Sequence, residues 1–160
     1  MSPYKRRVYY RGAKKHYSVE QTGGRIYTTV PGGDAALVVV GDTETQGKRK
    51  VKHLTINMAH YSTASSSTGI VHWALVYQPE GTSVSTLNMS TSSPGTSLYE
   101  PSQYVMEAGV FDFDAGPCRV HCRTSRILNS GDRIVLVLKS GDTSQTAVYQ
   151  YVVRYAVCYD

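Results

Sequence analysis

The chain has 160 residues, of which 41% are hydrophobic, and a formal net charge of +5. That length fits one domain able to bury roughly 70% of its unfolded surface and leaves no comfortable room for a second. No apolar run approaches the ~18 residues of a membrane-spanning helix. The N-terminus carries charge and tyrosine where a secretory signal has an apolar stretch, so neither membrane insertion nor secretion is expected.

Residues 1–24 read as a basic arm ahead of a folded domain over 25–160. The first sixteen residues hold six cations, Lys5, Arg6, Arg7, Arg11, Lys14 and Lys15, among Tyr4, Tyr9 and Tyr10, and no acid. The other eleven Lys and Arg nearly balance twelve Asp and Glu, so the excess charge is localised and points to a polyanion. Such a stretch cannot bury enough apolar surface to offset its ordering entropy, and it is expected to be mobile without a partner. Arg and Lys displace counterions from phosphates and tyrosine rings stack on unpaired bases, which makes single-stranded nucleic acid the expected ligand. Lys5, Arg6, Arg7, Lys14 and Lys15 also suit a nuclear localisation signal, and a plain solubilising tail is the blander alternative.

Thirteen Tyr, many Val and Thr, and the lack of a helix-period stripe favour strands. Eight candidates follow the arm, at 25–30, 35–41, 50–61, 70–78, 104–111, 117–124, 132–140 and 146–158, separated by residues that tolerate turns. Lys48, Arg49, Lys50 and Lys52 lead into the third, as a contact for nucleic acid or an acidic neighbour, or as a guard against edge pairing. In the fourth, Trp73 shares a face with Val71, Leu75 and Tyr77 and reads as core or subunit contact. Residues 62–69 and 80–97 are polar loops; Asn88-Met89-Ser90 in the second matches a glycosylation acceptor, discounted for want of a secretory route.

After the fifth candidate, Asp112 and Asp114 read as a polar strand end entering the Ala115-Gly116-Pro117 turn rather than as a cation site. In the sixth, Cys118 and Cys122 share one face ~13 Å apart at ~3.3 Å per residue, while His121 points the other way. That spacing excludes a shared zinc ion or a mutual disulfide, so buried thiols are expected, with a Cys158 pairing left open. Arg119, His121 and Arg123 alternate on the opposite face and Arg126 follows, either a basic stripe that extends the phosphate-binding area or an ordinary solvated strand face.

The seventh candidate runs apolar from Ile134 to Leu138, as in a strand covered on both sides. The eighth alternates Tyr149, Tyr151, Val153, Tyr155 and Val157 against Gln150 and Arg154, as in a half-buried one. The fold expected is all-β, a single eight-stranded antiparallel jelly-roll sandwich; the Cys and Trp spacing of an immunoglobulin domain is missing. No nucleophile and base can be paired and no catalytic motif occurs, so no enzyme, cofactor or metal is expected.

Five blocks in order carry a resemblance: Gly47-Lys-Arg-Lys-Val-Lys-His-Leu-Thr-Ile, Trp73-Ala-Leu-Val-Tyr-Gln-Pro-Glu-Gly-Thr, Leu98-Tyr-Glu-Pro-Ser-Gln-Tyr-Val, Asp114-Ala-Gly-Pro-Cys-Arg-Val and Ser125-Arg-Ile-Leu-Asn-Ser-Gly-Asp. They resemble the capsid proteins of small circular single-stranded DNA viruses that encode a replication initiator. These include circovirus-like agents with a shell protein similar to that of satellite tobacco necrosis virus. The resemblance spans about residues 35–158 and implies a jelly roll that self-assembles as ~60 copies into a T=1 icosahedral shell. It also implies a virion protein assembled in the host nucleus, an inner arm on the single-stranded DNA genome, and neither catalysis nor cofactor. The receptor is left open. The arm is shorter than in many relatives: ~60 copies supply only about 360 positive charges, too few for a genome of a few kilobases. That shortfall directs attention to Arg119, Arg123 and Arg126, or to Lys48–Lys52. The competing reading is a binding module without a shell, either an oligonucleotide-binding barrel or a lectin-type sandwich; the long loops hold few of the aromatics and acids a lectin uses.

Overall fold

The computed structural model describes residues 15–27, 34–44, 47–61, 69–82, 104–140 and 147–159. Lys5, Arg6, Arg7, Arg11 and Lys14 of the arm, and Asn88, lie outside the described residues. Nine strands are described: β1 (Ser18–Tyr27), β2 (Asp34–Val40), β3 (Arg49–His60), β4 (Ile70–Gln78), β5 (Tyr104–Asp112), β6 (Cys118–Cys122), β7 (Arg126–Leu128), β8 (Arg133–Ser140) and β9 (Val148–Tyr159). All pairings are antiparallel, in one sheet ordered β1-β9-β3-β6, with β7 also on β3, and a second ordered β2-β8-β4-β5.

The ninth strand comes from a break in an edge. β7 pairs with Arg49–Val51 of β3 and β6 with Leu54–Met58, along the same side. Between those stretches β3 bulges, with a register shift from Lys52 to Thr55 and His53 at φ 55°. An extra residue there bends the strand and interrupts the ladder, so one edge strand becomes two short ones. With β6 and β7 counted together, eight strands remain, and every connection except β4 to β5 crosses between sheets. This is the jelly-roll sandwich expected from the strand count.

The core lies between the sheets. Val51, Leu54, Ile56 and Met58 of β3, and Tyr149, Val153 and Val157 of β9, face Trp73 and Leu75 of β4 and Ile134, Leu136 and Leu138 of β8. Each such side chain contributes about 1.5–3 kcal/mol when fully buried. Trp73 is a core residue stacked on Phe111 at 5.3 Å. Val135 and Val137 on the other side of β8 are buried too, with Ala74 and Val76, which accounts for the unbroken apolar run.

β1 begins seven residues before the expected start at 25, so the arm boundary drawn at residue 24 falls inside a strand. Residues 18–23 are exposed, being at a sheet edge, and show no burial period to betray them. Backbone pairing holds them instead, from Ser18 opposite Val157 to Tyr27 opposite Val148. The pair Gly23-Gly24 lets β9 come close: a Cβ on Gly24 would sit 3.0 Å from the Tyr151 hydroxyl.

Candidate nucleic-acid interface

Side-chain alternation assigns each residue of the β1-β9-β3-β6 sheet to the core or to the outer face. On β3, Lys50 and Lys52 point outward before the bulge and Thr55 and Asn57 after it, because the added residue resets the period. Across the ladder this aligns two outward rows, Gln21–Arg154–Thr55–His121 and Gly23–Val152–Asn57–Arg119. Val19 and Ala156 form the next row, beside the bulge.

The face is cationic. Arg25, Lys50, Lys52, Arg119 and Arg154 point outward, and Arg123 continues the alternation at its rim. Among the described residues, no Asp or Glu of these strands shares the face; Glu20 lies opposite Tyr155 on the inward set. Glu107 of β5 lines a shallow neighbouring groove with His121 and Arg123.

At the centre lies a groove of about 520 Å³, lined by Val19, Gln21, His53, Thr55, Asn57, Arg119, His121, Val152, Arg154, Tyr155 and Ala156. The Thr55 hydroxyl is 2.9 Å from Nδ1 of His121, which steadies the ring and leaves Nε2 for a ligand. Two further cations are held by aromatic rings, Lys52 Nζ 3.5 Å from the centre of Tyr17 and the Arg25 guanidinium 4.4 Å from that of Tyr61. Tyr17 immediately precedes β1, so the segment that joins the arm to the sandwich meets it on this face.

Arg119, His121 and Arg123 therefore stand on the cationic face, together with Lys50 and Lys52. Arg126 does not. It pairs opposite the inward Val51 and its guanidinium lies 4.3 Å over the Tyr77 ring; three positions after Arg123, an odd offset, it falls on the same inward set as Cys118, Val120 and Cys122. Arg49 also leaves the basic group: it is buried and donates through Nη2 to the carbonyls of Gly41 and Asp132. Arg154, Asn57, Gln21 and His53 were absent from the sequence-derived site. Alternation in β9 already set Arg154 apart; nothing local announced the bulge that brings in His53.

Other candidate chemistry resolves into structure. The Asp112 carboxylate caps the 3-10 turn Phe113–Ala115 by accepting from the Asp114 amide at 3.1 Å, and Asp114 accepts from the Gly69 amide at 3.2 Å. The three cysteines are free thiols; Cys118 and Cys122 face inward and Cys158 outward. Burial, the largest influence on it, raises the Cys118 thiol above its ordinary pKa and keeps it protonated.

No protein-family model matches the chain, and no curated protein matches it. Among solved structures it is similar to the Yersinia pseudotuberculosis-derived mitogen YPM, at 12% identity and TM-score 0.35, covering 88% of this chain and 86% of that one. It is also similar to the decameric BFDV capsid protein, at 11% identity and TM-score 0.36, covering 92% of this chain and 98% of that one. Likenesses this distant leave function to be argued from the chain's own residues.

Proposed function

We propose that this chain is the coat subunit of a small T=1 particle enclosing single-stranded DNA, a structural role with no catalytic step. The observation that carries the proposal is the polarity of the sandwich. One outer face is cationic, free of acids in its described strands, and adjoins the arm at Tyr17. The other presents the exposed apolar Ala36, Val38, Ala108 and Val110. In such a shell the cationic face would turn toward the cargo, and exposed apolar surface is available for contact with other copies.

The five ordered sequence blocks and the jelly-roll connectivity support the same reading. The six cations on the face and rim match the arm's six, and so about double the charge each subunit offers a genome. Nuclear delivery through Lys5, Arg6, Arg7, Lys14 and Lys15 belongs to the proposal. The test is size-exclusion chromatography with negative-stain microscopy of the full chain and of a form lacking residues 1–14. Closed particles are expected, with less co-purified DNA in the truncated form. A monomer or small ring across salt and pH would refute the shell and favour a single-strand-binding module; unchanged DNA content would refute the arm's role.

A further inference from the structure

We infer that the groove beside the β3 bulge seats one nucleotide of a bound single strand. Its phosphate lies between Arg119 and Arg154, and its base rests on Val19, Val152 and Ala156. The inference rests on the nucleic-acid reading of this face and adds to it a discrete seat where diffuse charge alone would need none.

The lining has the two characters a nucleotide requires. Arg154 and Arg119 stand two strands and one row apart, with the short side chains of Thr55 and Asn57 between them. Neighbouring strands are ~4.8 Å apart, so the two long guanidinium stems reach a common point above Thr55 and Asn57. Arginine pairs bind phosphate with parallel donors, and Nε2 of His121 stands in the same row as Arg154. The other part of the lining is apolar, flanked by the amides of Gln21 and Asn57, the donor and acceptor groups that pair with base edges. A volume of about 520 Å³ is within the range of small-molecule sites.

The backbone supports the assignment independently. His53 is the sole described non-glycine residue with positive φ, and it lines the groove. Bulges that re-aim a side chain gather beside functional sites, and a strained residue persists where its surroundings hold it. Without the bulge, Thr55 and Asn57 would face the core and the groove would lose its middle strand. The glycine at position 23 leaves the row of Asn57 and Arg119 open on the β1 side, giving an extended strand a way in and out.

The experiment uses the full chain and a single-stranded oligo-dT of about 20 nucleotides, with an iodouracil-substituted form for photocrosslinking. Arg154→Gln is expected to weaken binding about tenfold and Asn57→Ala about three- to fivefold, with Arg133→Gln, on the other sheet, under about twofold. Loss from Asn57→Ala should persist at high salt, since no ion pair is removed. Crosslinks are expected in residues 18–27, 49–60, 118–122 and 148–159. Crosslinks elsewhere, or full affinity in Asn57→Ala with an unchanged thermal melt, would overturn the seat and leave diffuse charge. DNA-filled particles with no crosslink in the groove would refute this inference alone; groove crosslinks in a chain that forms no particles would refute the shell alone.

Discussion

The Tyr77 hydroxyl donates to Oδ2 of Asp132 at 2.6 Å and joins the two sheets' connections at one end of the sandwich. Asp132 also accepts from the amide and side chain of Asn129 and from the amide of Glu80, while its carbonyl receives Arg49. One carboxylate thus ties the β7–β8 turn to β4 and to the segment after it. Burial pushes the Asp132 carboxyl up, but the hydrogen bonds from Tyr77, Asn129 and Glu80 together outweigh it and hold the pKa below its ordinary value. Because the folded value is the lower one, the stabilisation is present above the ordinary carboxylate range and fades as pH falls through the folded value. Urea midpoints between pH 7 and 2 should show this loss, and Asp132→Asn should be less stable at pH 7 with a flatter acid limb.

Tyr77 responds at the other extreme. Burial first, then the hydrogen bond to Asp132, raises its pKa to about 12. The folded value exceeds the unfolded one, so its contribution is complete below about pH 10 and declines as pH rises toward 12. Ultraviolet titration of the phenolates should lose its latest component in Tyr77→Phe, which should cost about 1 kcal/mol of stability at pH 7.

Gly109 lies under the Trp73 ring, where a Cβ would sit 2.9 Å from Cζ2. Trp73 is stacked on Phe111 and cannot retreat without disturbing it. Gly109→Ala should therefore destabilise by about 1–3 kcal/mol through overpacking, read as a lower denaturant midpoint at unchanged m-value.

His53 separates stability from binding. Its left-handed backbone carries a penalty of about 1 kcal/mol that glycine does not. His53→Gly should raise the thermal midpoint while weakening single-stranded DNA binding; a change in the same direction for both would argue that the bulge is merely tolerated.

Arg123 and Arg126 provide a paired test of the interface. Arg123→Gln should lower the salt slope of single-stranded DNA binding by about 0.7. Arg126→Gln should leave the slope alone and reduce stability through loss of the contact with Tyr77. A filter-binding titration over salt, paired with thermal melts, reads both.

The strands most legible in the sequence were those with a core face. Residues 70–78 match β4 end to end, and the tyrosine alternation of β9 appears in the fold as read, because burial imposes a period on the residues. β1 before residue 25 and the three residues of β7 left no such trace, since an exposed edge is held by backbone groups that every residue shares. The same reasoning applies to the interface. Arg119 and Arg123 were visible by alternation, and the same alternation, three positions on from Arg123, puts Arg126 on the inward side; His53 was unseen, because it depends on a register shift between strands distant in sequence.

The interruption between β6 and β7 also bears on how copies of the chain can meet. An unbroken edge offers a row of main-chain donors and acceptors on which another chain can add strand after strand, the route to fibres. Here the row turns away at β3's bulge, and the pieces on either side, Cys118–Cys122 and Arg126–Leu128, are too short to template a lasting ladder. Copies concentrated together are steered away from open-ended stacking along this margin, which leaves side-chain surfaces to decide how they associate.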